Sequence, residues 1–239
     1  MFPTCSSGHQ RKDDGWSAEL AGRGRIGPAL WVDHGMVAVQ SHPVFDLAKE
    51  TLRKAFGFEE FLDGQAGIVE EILGLRDGLV VMPTGGGKSL CYQLPALCLE
   101  GVTVVVSPLI ALMKDQVDAL VDRGVAATLI NSTLSHGEQR NRIDGMVRGE
   151  YKLVYVAPER FRADRFVSAM RRVKVGLLAI DEAHCLSQWG HDFRPDYLRL
   201  GEARRALGNP QCVAFTATAT QVVREDIVKV LELREPFQT

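Results

Sequence analysis

The chain has 239 residues, enough for one full hydrophobic core. Hydrophobic residues make up 46% and charged residues 24%, ordinary globular proportions that exclude a chain disordered throughout, and nowhere is there the run of about 18 apolar residues that a membrane-spanning helix needs. A formal net charge of -2 excludes a global basic field, so a nucleic-acid partner has to be argued from local motifs.

From Met1 to His42 the chain is rich in Gly, Ser and mixed charge, with breakers at Gly15, Gly22, Gly24, Gly27 and Pro28, and residues 1–42 read as a disordered leader. Met36 is an alternative start. The first ten residues lack the basic start and apolar stretch of a secretory signal, so cytoplasmic residence is expected. Five scattered cysteines (Cys5, Cys91, Cys98, Cys185, Cys212) contain no C-x-x-C pair, which predicts reduced thiols, without a zinc site or a disulfide framework.

After Pro43, the apolar residues Phe45, Leu47, Leu52 and Phe56 predict an amphipathic helix that Gly57 can end with a left-handed cap. A second helix follows through Ile68, Ile72 and Leu73 to Gly74. Short apolar runs then alternate with helical patterns: Leu79–Met82, Val102–Val106, Ala127–Ile130, Leu153–Val156, Val175–Ile180 and Cys212–Phe215 read as buried strands. Helices are expected over Leu109–Val121 and Gly137–Val147, the second preceded by a capping box of Ser135 and Glu138. Repeated strand and helix imply right-handed crossovers and an α/β fold, a parallel sheet with helices on both faces.

Directly after the first strand comes Met82-Pro83-Thr84-Gly85-Gly86-Gly87-Lys88-Ser89, then helical residues Leu90 to Leu97. A phosphate chain needs backbone N–H groups turned inward, which glycines permit; the helix N-terminus adds partial positive charge, Lys88 a full one, and the Ser89 hydroxyl can coordinate magnesium. This is a P-loop for ATP and Mg²⁺, with Met82 where the general pattern has Gly. The strand Val175–Ile180 delivers Asp181-Glu182-Ala183-His184 at its carboxyl end, where open parallel sheets bind ligands. Asp181 is assigned to the metal and Glu182 to positioning and deprotonating the attacking water, with Lys88 completing the catalytic set. His184 is then a relay or polar contact to the next motif. Taken alone, the acidic pair also fits a solvated turn; the P-loop tips the balance.

These motifs resemble the first RecA-like domain of RecQ-family helicases, from about Phe45 onward. Thr84 to Ser89 resembles helicase motif I, Ser107-Pro108-Leu109-Ile110-Ala111-Leu112-Met113-Lys114-Asp115-Gln116 resembles motif Ia, Asp181 to His184 is similar to a DEAH box, and Phe215-Thr216-Ala217-Thr218-Ala219 resembles motif III. Gln188-Trp189-Gly190-His191-Asp192-Phe193-Arg194-Pro195 resembles the aromatic-rich loop that marks the family. The resemblance implies a helicase ATP-binding domain over 43–239 with its motor core at about 69–237. It also implies 3'-5' unwinding of DNA, single-stranded and forked DNA as partners, and arginines supplied by a second RecA-like domain absent from this chain.

By the same resemblance, Phe58 stacks on adenine and Gln65 hydrogen-bonds its edge, while Leu62 stands where the family carries a stacking Arg. Trp189, His191, Phe193 and Arg194 sense unpaired bases and couple them to hydrolysis; the other reading puts Trp189 and Phe193 in the core. Thr216 is a further nucleic-acid or coupling candidate, as is Ser107, which with Lys114, Asn131 and Thr133 is a weaker DNA-backbone candidate that equally suits a cap or solvated surface. A non-catalytic nucleotide- and DNA-binding module is the competing class, and a DEAD-box RNA helicase is disfavoured by the Trp189 loop and by His184.

Overall fold

The computed structural model describes residues 43–239, and the leader expected over 1–42 lies outside them. The first helix, α1 (Pro43–Thr51), runs on into a π-helical turn, Leu52–Phe56, which Gly57 ends at φ 73 as the left-handed cap predicts. Next come α2 (Gln65–Leu73), strand β1 (Gly78–Val81), α3 (Lys88–Cys98), β2 (Val102–Val106), α4 (Ile110–Asp122) and β3 (Ala127–Ile130). The chain continues through α5 (His136–Val147), β4 (Leu153–Val156), α6 (Asp164–Met170), β5 (Val175–Ile180), α7 (Leu200–Ala206), β6 (Gln211–Thr216), α8 (Gln221–Leu231) and β7 (Phe237–Gln238). The capping box of α5 is complete: the Glu138 N–H donates to Ser135 Oγ, and the Ser135 N–H donates to the Glu138 carboxylate.

The described residues form a seven-stranded sheet in the order β3-β4-β2-β5-β6-β1-β7, every pair parallel. Because a strand turns successive side chains to opposite faces, each buried strand feeds two cores. Val105, Tyr155, Leu177, Ala179, Val213 and Phe215 pack on one face with α1 to α4; Val104, Val154, Leu178, Ile180, Cys212 and Ala214 pack on the other with α5 to α8. This two-faced burial is why the strands read as unbroken apolar runs. No helix among the described residues is long and apolar enough to cross a membrane.

Several boundaries differ from expectation by one residue: β6 is longer by one at each end, α4 lies one residue later and α5 starts one residue earlier. Strand β1 starts and ends one residue early, because Met82 turns into the following loop and donates its N–H to Thr216 O at 3.0 Å. The unanticipated β7 is held on the β1 edge by two residues.

Candidate functional site

The loop between β1 and α3 takes the form its glycines allow. Gly85 and Gly87 have φ of 83 and 74, in the left-handed region that side chains disfavour. At Gly87 a Cβ would also come within 2.3 Å of the Gln65 amide nitrogen. Lys88 opens α3 and folds back over the loop, its ammonium donating to Met82 O at 3.0 Å and Pro83 O at 3.3 Å. Thr84 is exposed and Ser89 half-buried, the Ser89 hydroxyl bonded to the Tyr92 phenol beneath it.

Asp181 leaves β5 with its N–H on Val106 O at 2.8 Å. Its buried carboxylate accepts from Ser107 Oγ at 3.5 Å and from the Glu182 N–H. Burial, and then the charge of Glu182, push the Asp181 carboxyl up to about 6, against a smaller pull from Lys88. Glu182 itself adopts φ 49 and ψ 45, a left-handed conformation that costs an L-residue roughly 1–2 kcal/mol. Its carboxylate lies 3.3 Å from His184 Nδ1, which also reaches Thr216 Oγ1 at 3.0 Å. Since the Thr216 hydroxyl donates to Thr218 O at 3.1 Å, it accepts from the imidazole, so Nδ1 carries the proton. Burial, and then neighbouring His191, hold the His184 pKa below its ordinary value, which keeps the ring neutral.

The segment after the acidic pair loops out and returns. Trp189 is 77% exposed, which removes the core reading for that residue, while Phe193 is half-buried. The His191 ring stacks on His184 with centroids 4.1 Å apart. Gly190 passes so close beneath the turn that a Cβ would meet His184 O at 2.3 Å. Both feet of the loop are tied down: the Trp189 N–H donates to Ser187 Oγ, itself 2.5 Å from Asp226 Oδ2, and the Arg194 N–H donates to Cys185 O at 2.9 Å. Beyond it, Tyr197 donates its phenol O–H to Asp181 O at 3.0 Å.

A P-loop, a DEAH turn and, at the end of β6, a threonine in contact with both stand together here, and the family model for the DEAD/DEAH box helicase matches residues 63–226. The chain belongs to that helicase family. Among similar proteins, this helicase domain is 45% identical over 201 residues to the ATP-dependent DNA helicase RecQ of Pasteurella multocida (strain Pm70), covering 83% of this chain and 32% of that protein. It is 48% identical over 190 residues to RecQ of Bacillus subtilis (strain 168), covering 79% and 32%. With the ATP-dependent DNA helicase Q5 of Rattus norvegicus it shares 47% over 196 residues, 79% of this chain and 20% of that protein. The chain thus spans a third or less of the length of these relatives. The RecA-like fold recurs in a hypothetical ATP-dependent RNA helicase from Sulfolobus tokodaii, with TM-score 0.62 and 20% identity over 81% of this chain and 57% of that one. It recurs in the DUF1998 helicase MrfA bound to DNA, with TM-score 0.63 and 19% identity over 81% and 29%.

The structure of this helicase domain brings some of the expected residues together and relocates others. Phe58 is 49% exposed and free to stack, and Leu62 is exposed as well. Gln65 is buried, its Nε2 donating to Gly86 O and Gly87 O and its Oε1 accepting from the Leu62 N–H, so it braces the P-loop instead of presenting an open amide. Ser107 is buried, its hydroxyl donating to Asp181, so it presents no open surface here and contacts the acidic turn instead. Arg194 is engaged rather than free, its guanidinium held by Asp192 and by Pro108 O. Asn131 is buried and accepts from the Thr133 N–H and hydroxyl, a local turn cap, and Lys114 pairs with Asp118 at 2.5 Å. Tyr197 was missed by sequence reasoning, although Pro195, which opens its 3-10 turn, was a signal for that turn.

Proposed function

We propose that this chain is the ATP-binding first motor domain of an ATP-dependent DNA helicase of the RecQ type, carried by residues 43–239 with a motor core at about 69–237. The observation that carries the reading is the meeting of P-loop and acidic turn. Strands β1 and β5 flank β6, and Lys88 lies close enough for its charge to offset a small part of the rise in the Asp181 pKa. Phosphate counter-ion and candidate metal ligand thereby share one mouth at the carboxyl ends of parallel strands.

In this reading the N–H groups of Thr84 to Ser89 cradle the phosphates, and Lys88 exchanges the carbonyls of Met82 and Pro83 for phosphate oxygen. The raised Asp181 carboxyl fits a divalent ion: two adjacent acids, one buried, want a cation, and Asp181 with Ser89 would hold Mg²⁺ beside the phosphates. When bound, that ion neutralises phosphate charge. Glu182 orients the attacking water and takes its proton, and neutral His184 fixes the Glu182 carboxylate from behind. Phe58 stacks on adenine, and Gln65 contacts the base edge only by releasing Gly86 O or Gly87 O. Trp189 and Phe193 meet unpaired bases of single-stranded or forked DNA, with His191 carrying the contact back to His184.

The similarity to RecQ helicases supports 3'-5' unwinding by a whole motor in which a second RecA-like domain adds arginines. Such arginines contribute about 10³ to 10⁵ in turnover in related systems, so residues 43–239 alone hydrolyse slowly. Calorimetry with Mg²⁺·ATP tests the reading: the chain binds, and Lys88→Ala abolishes binding because the phosphate loses its counter-ion. Unchanged affinity in that variant refutes the site. Hydrolysis stimulated by single-stranded RNA as strongly as by single-stranded DNA would refute the choice of nucleic acid.

A further inference from the structure

The Asp181–Glu182 peptide is the point through which the candidate base is aimed, and it is pinned on both edges. Its carbonyl accepts the Tyr197 O–H at 3.0 Å, and its N–H donates to the Asp181 carboxylate. On the far side of Glu182, the Glu182 carbonyl accepts from the Cys185 N–H at 2.9 Å. The orientation of the first peptide plane sets Glu182 φ, and φ is 49, a strained value that a rotation of that plane would relieve. Such a rotation would also swing the Glu182 side chain away from His184. Two of the three bonds come from the segment 181–185 itself. The Tyr197 bond comes from beyond the aromatic loop.

Tyr197 suits this task. It is fully buried, in a 3-10 turn (Pro195–Arg199) that begins where the loop residues Trp189 to Arg194 end. Burial drives its phenol pKa well above the ordinary value, so the hydroxyl remains a donor at any working pH. A carbonyl accepts but never donates, so the bond has one sense only. A shift of the loop therefore reaches the peptide by two routes: along the chain through 183–186, and across space through the phenol.

We propose that Tyr197 is a positioning residue that holds Glu182 in its left-handed conformation and transmits the state of the DNA-sensing loop to it. This rests on the functional reading above, in which Glu182 handles the attacking water. Tyr197 thereby sets the geometry of the base while touching neither nucleotide nor water.

The test is Tyr197→Phe in the full chain, which keeps the ring and removes only the hydroxyl. One net hydrogen bond and the released strain correspond to a change of about tenfold. Two readouts are expected to move by about that factor: hydrogen exchange at the Glu182 amide, followed by NMR without nucleotide, becomes faster, and kcat for Mg²⁺·ATP hydrolysis with single-stranded DNA falls. KM for ATP stays within about twofold, since no phosphate contact is lost. Wild-type exchange at Glu182 together with wild-type kcat overturns the proposal. So does faster exchange spread along the whole of β5 with a lower melting temperature, which would make the phenol a stability element only. If the wild-type chain neither binds nor hydrolyses ATP, the functional reading falls, while the Glu182 exchange still decides whether Tyr197 holds the peptide.

Discussion

Two buried aspartates stand at opposite ends of the sheet, Asp77 just before β1 and Asp181 just after β5, and their surroundings differ completely. Asp77 meets Arg204 Nη2 at 2.6 Å, Arg234 Nε at 3.2 Å and the N–H groups of Cys212 and Arg234 at 2.9 and 2.8 Å. Burial pushes its carboxyl up, yet these four partners outweigh it and hold the pKa below the ordinary value. Arg204, equally buried, spends its remaining donors on Pro210 O, Leu231 O and Glu232 O. Asp181 has one hydroxyl, one amide and an acidic neighbour, and its carboxyl is pushed up to about 6. A carboxylate that the protein neutralises by itself serves the fold; one left short of positive charge marks where a ligand completes the structure.

The sharpest break of this contrast is Asp77→Ala. It leaves the Arg204 guanidinium buried without its counter-charge and frees the end of β1 from α7, α8 and the segment leading to β7. Removing one partner of a buried ion pair costs about 3–5 kcal/mol, so urea unfolding is expected to show a large fall in midpoint. A loss below about 1 kcal/mol, the range of an exposed pair, would place Asp77 in the same class as the surface ion pairs and end the comparison.

Asp181→Asn is expected to move stability the other way. Asp181 has its folded-state pKa raised, so between about pH 4 and pH 6 the folded chain binds more protons than the unfolded one, and stability falls as pH rises through that window. Asparagine removes that cost. At pH 8 the variant should be more stable than wild type by on the order of 1–3 kcal/mol, the two converging below about pH 4. Calorimetry should at the same time show loss of the Mg²⁺ dependence of nucleotide binding, and in the wild type a weakening of Mg²⁺·ATP affinity as pH is lowered through the same window. A variant less stable at pH 8 would mean that Asp181 is already neutralised from within, as Asp77 is.

The same contrast explains what could be read from the sequence. The P-loop and the acidic turn were legible because each is local: Gly85 to Ser89 and Asp181 to His184 are contiguous, and each follows a strand whose apolar run reports burial on both faces. Strands β2 to β5 were found at their observed boundaries for the same reason. The Asp77 node was not legible, because Arg204 lies 127 residues away and nothing in its neighbourhood distinguishes it from a solvated arginine. Helices α6 and α7 have only seven residues each, too short for an apolar period to emerge, and β7 is held by two residues. Ser107 and Gln65 were placed near the site, but the partners they hold here, Asp181 for one and the P-loop carbonyls for the other, were not foreseen, since a motif fixes which residues gather but not which way each side chain turns. Helix α8 did carry a signal, the Thr220 cap whose hydroxyl accepts from the Val223 N–H.

The smallest stability effect, with a functional effect out of proportion to it, belongs to Trp189. The side chain is 77% exposed, and substitutions at such positions usually change stability by about 0.5 kcal/mol or less, so Trp189→Ala should unfold almost with the wild type. Its backbone bond to Ser187 and the passage of Gly190 under His184 do not involve the indole, so the loop keeps its path. What is lost is the stacking surface, about 1–3 kcal/mol per base. Affinity for single-stranded DNA measured by fluorescence anisotropy should fall accordingly, and the ratio of DNA-stimulated to unstimulated ATP hydrolysis should fall with it, because the base that moves the loop is no longer held. The His191–His184 stack and the Tyr197 bond, both intact in this variant, link that loop to Glu182. If Trp189→Ala keeps both its DNA affinity and its stimulation ratio, bases do not enter through this loop, and the exposed indole belongs to some other contact of the motor.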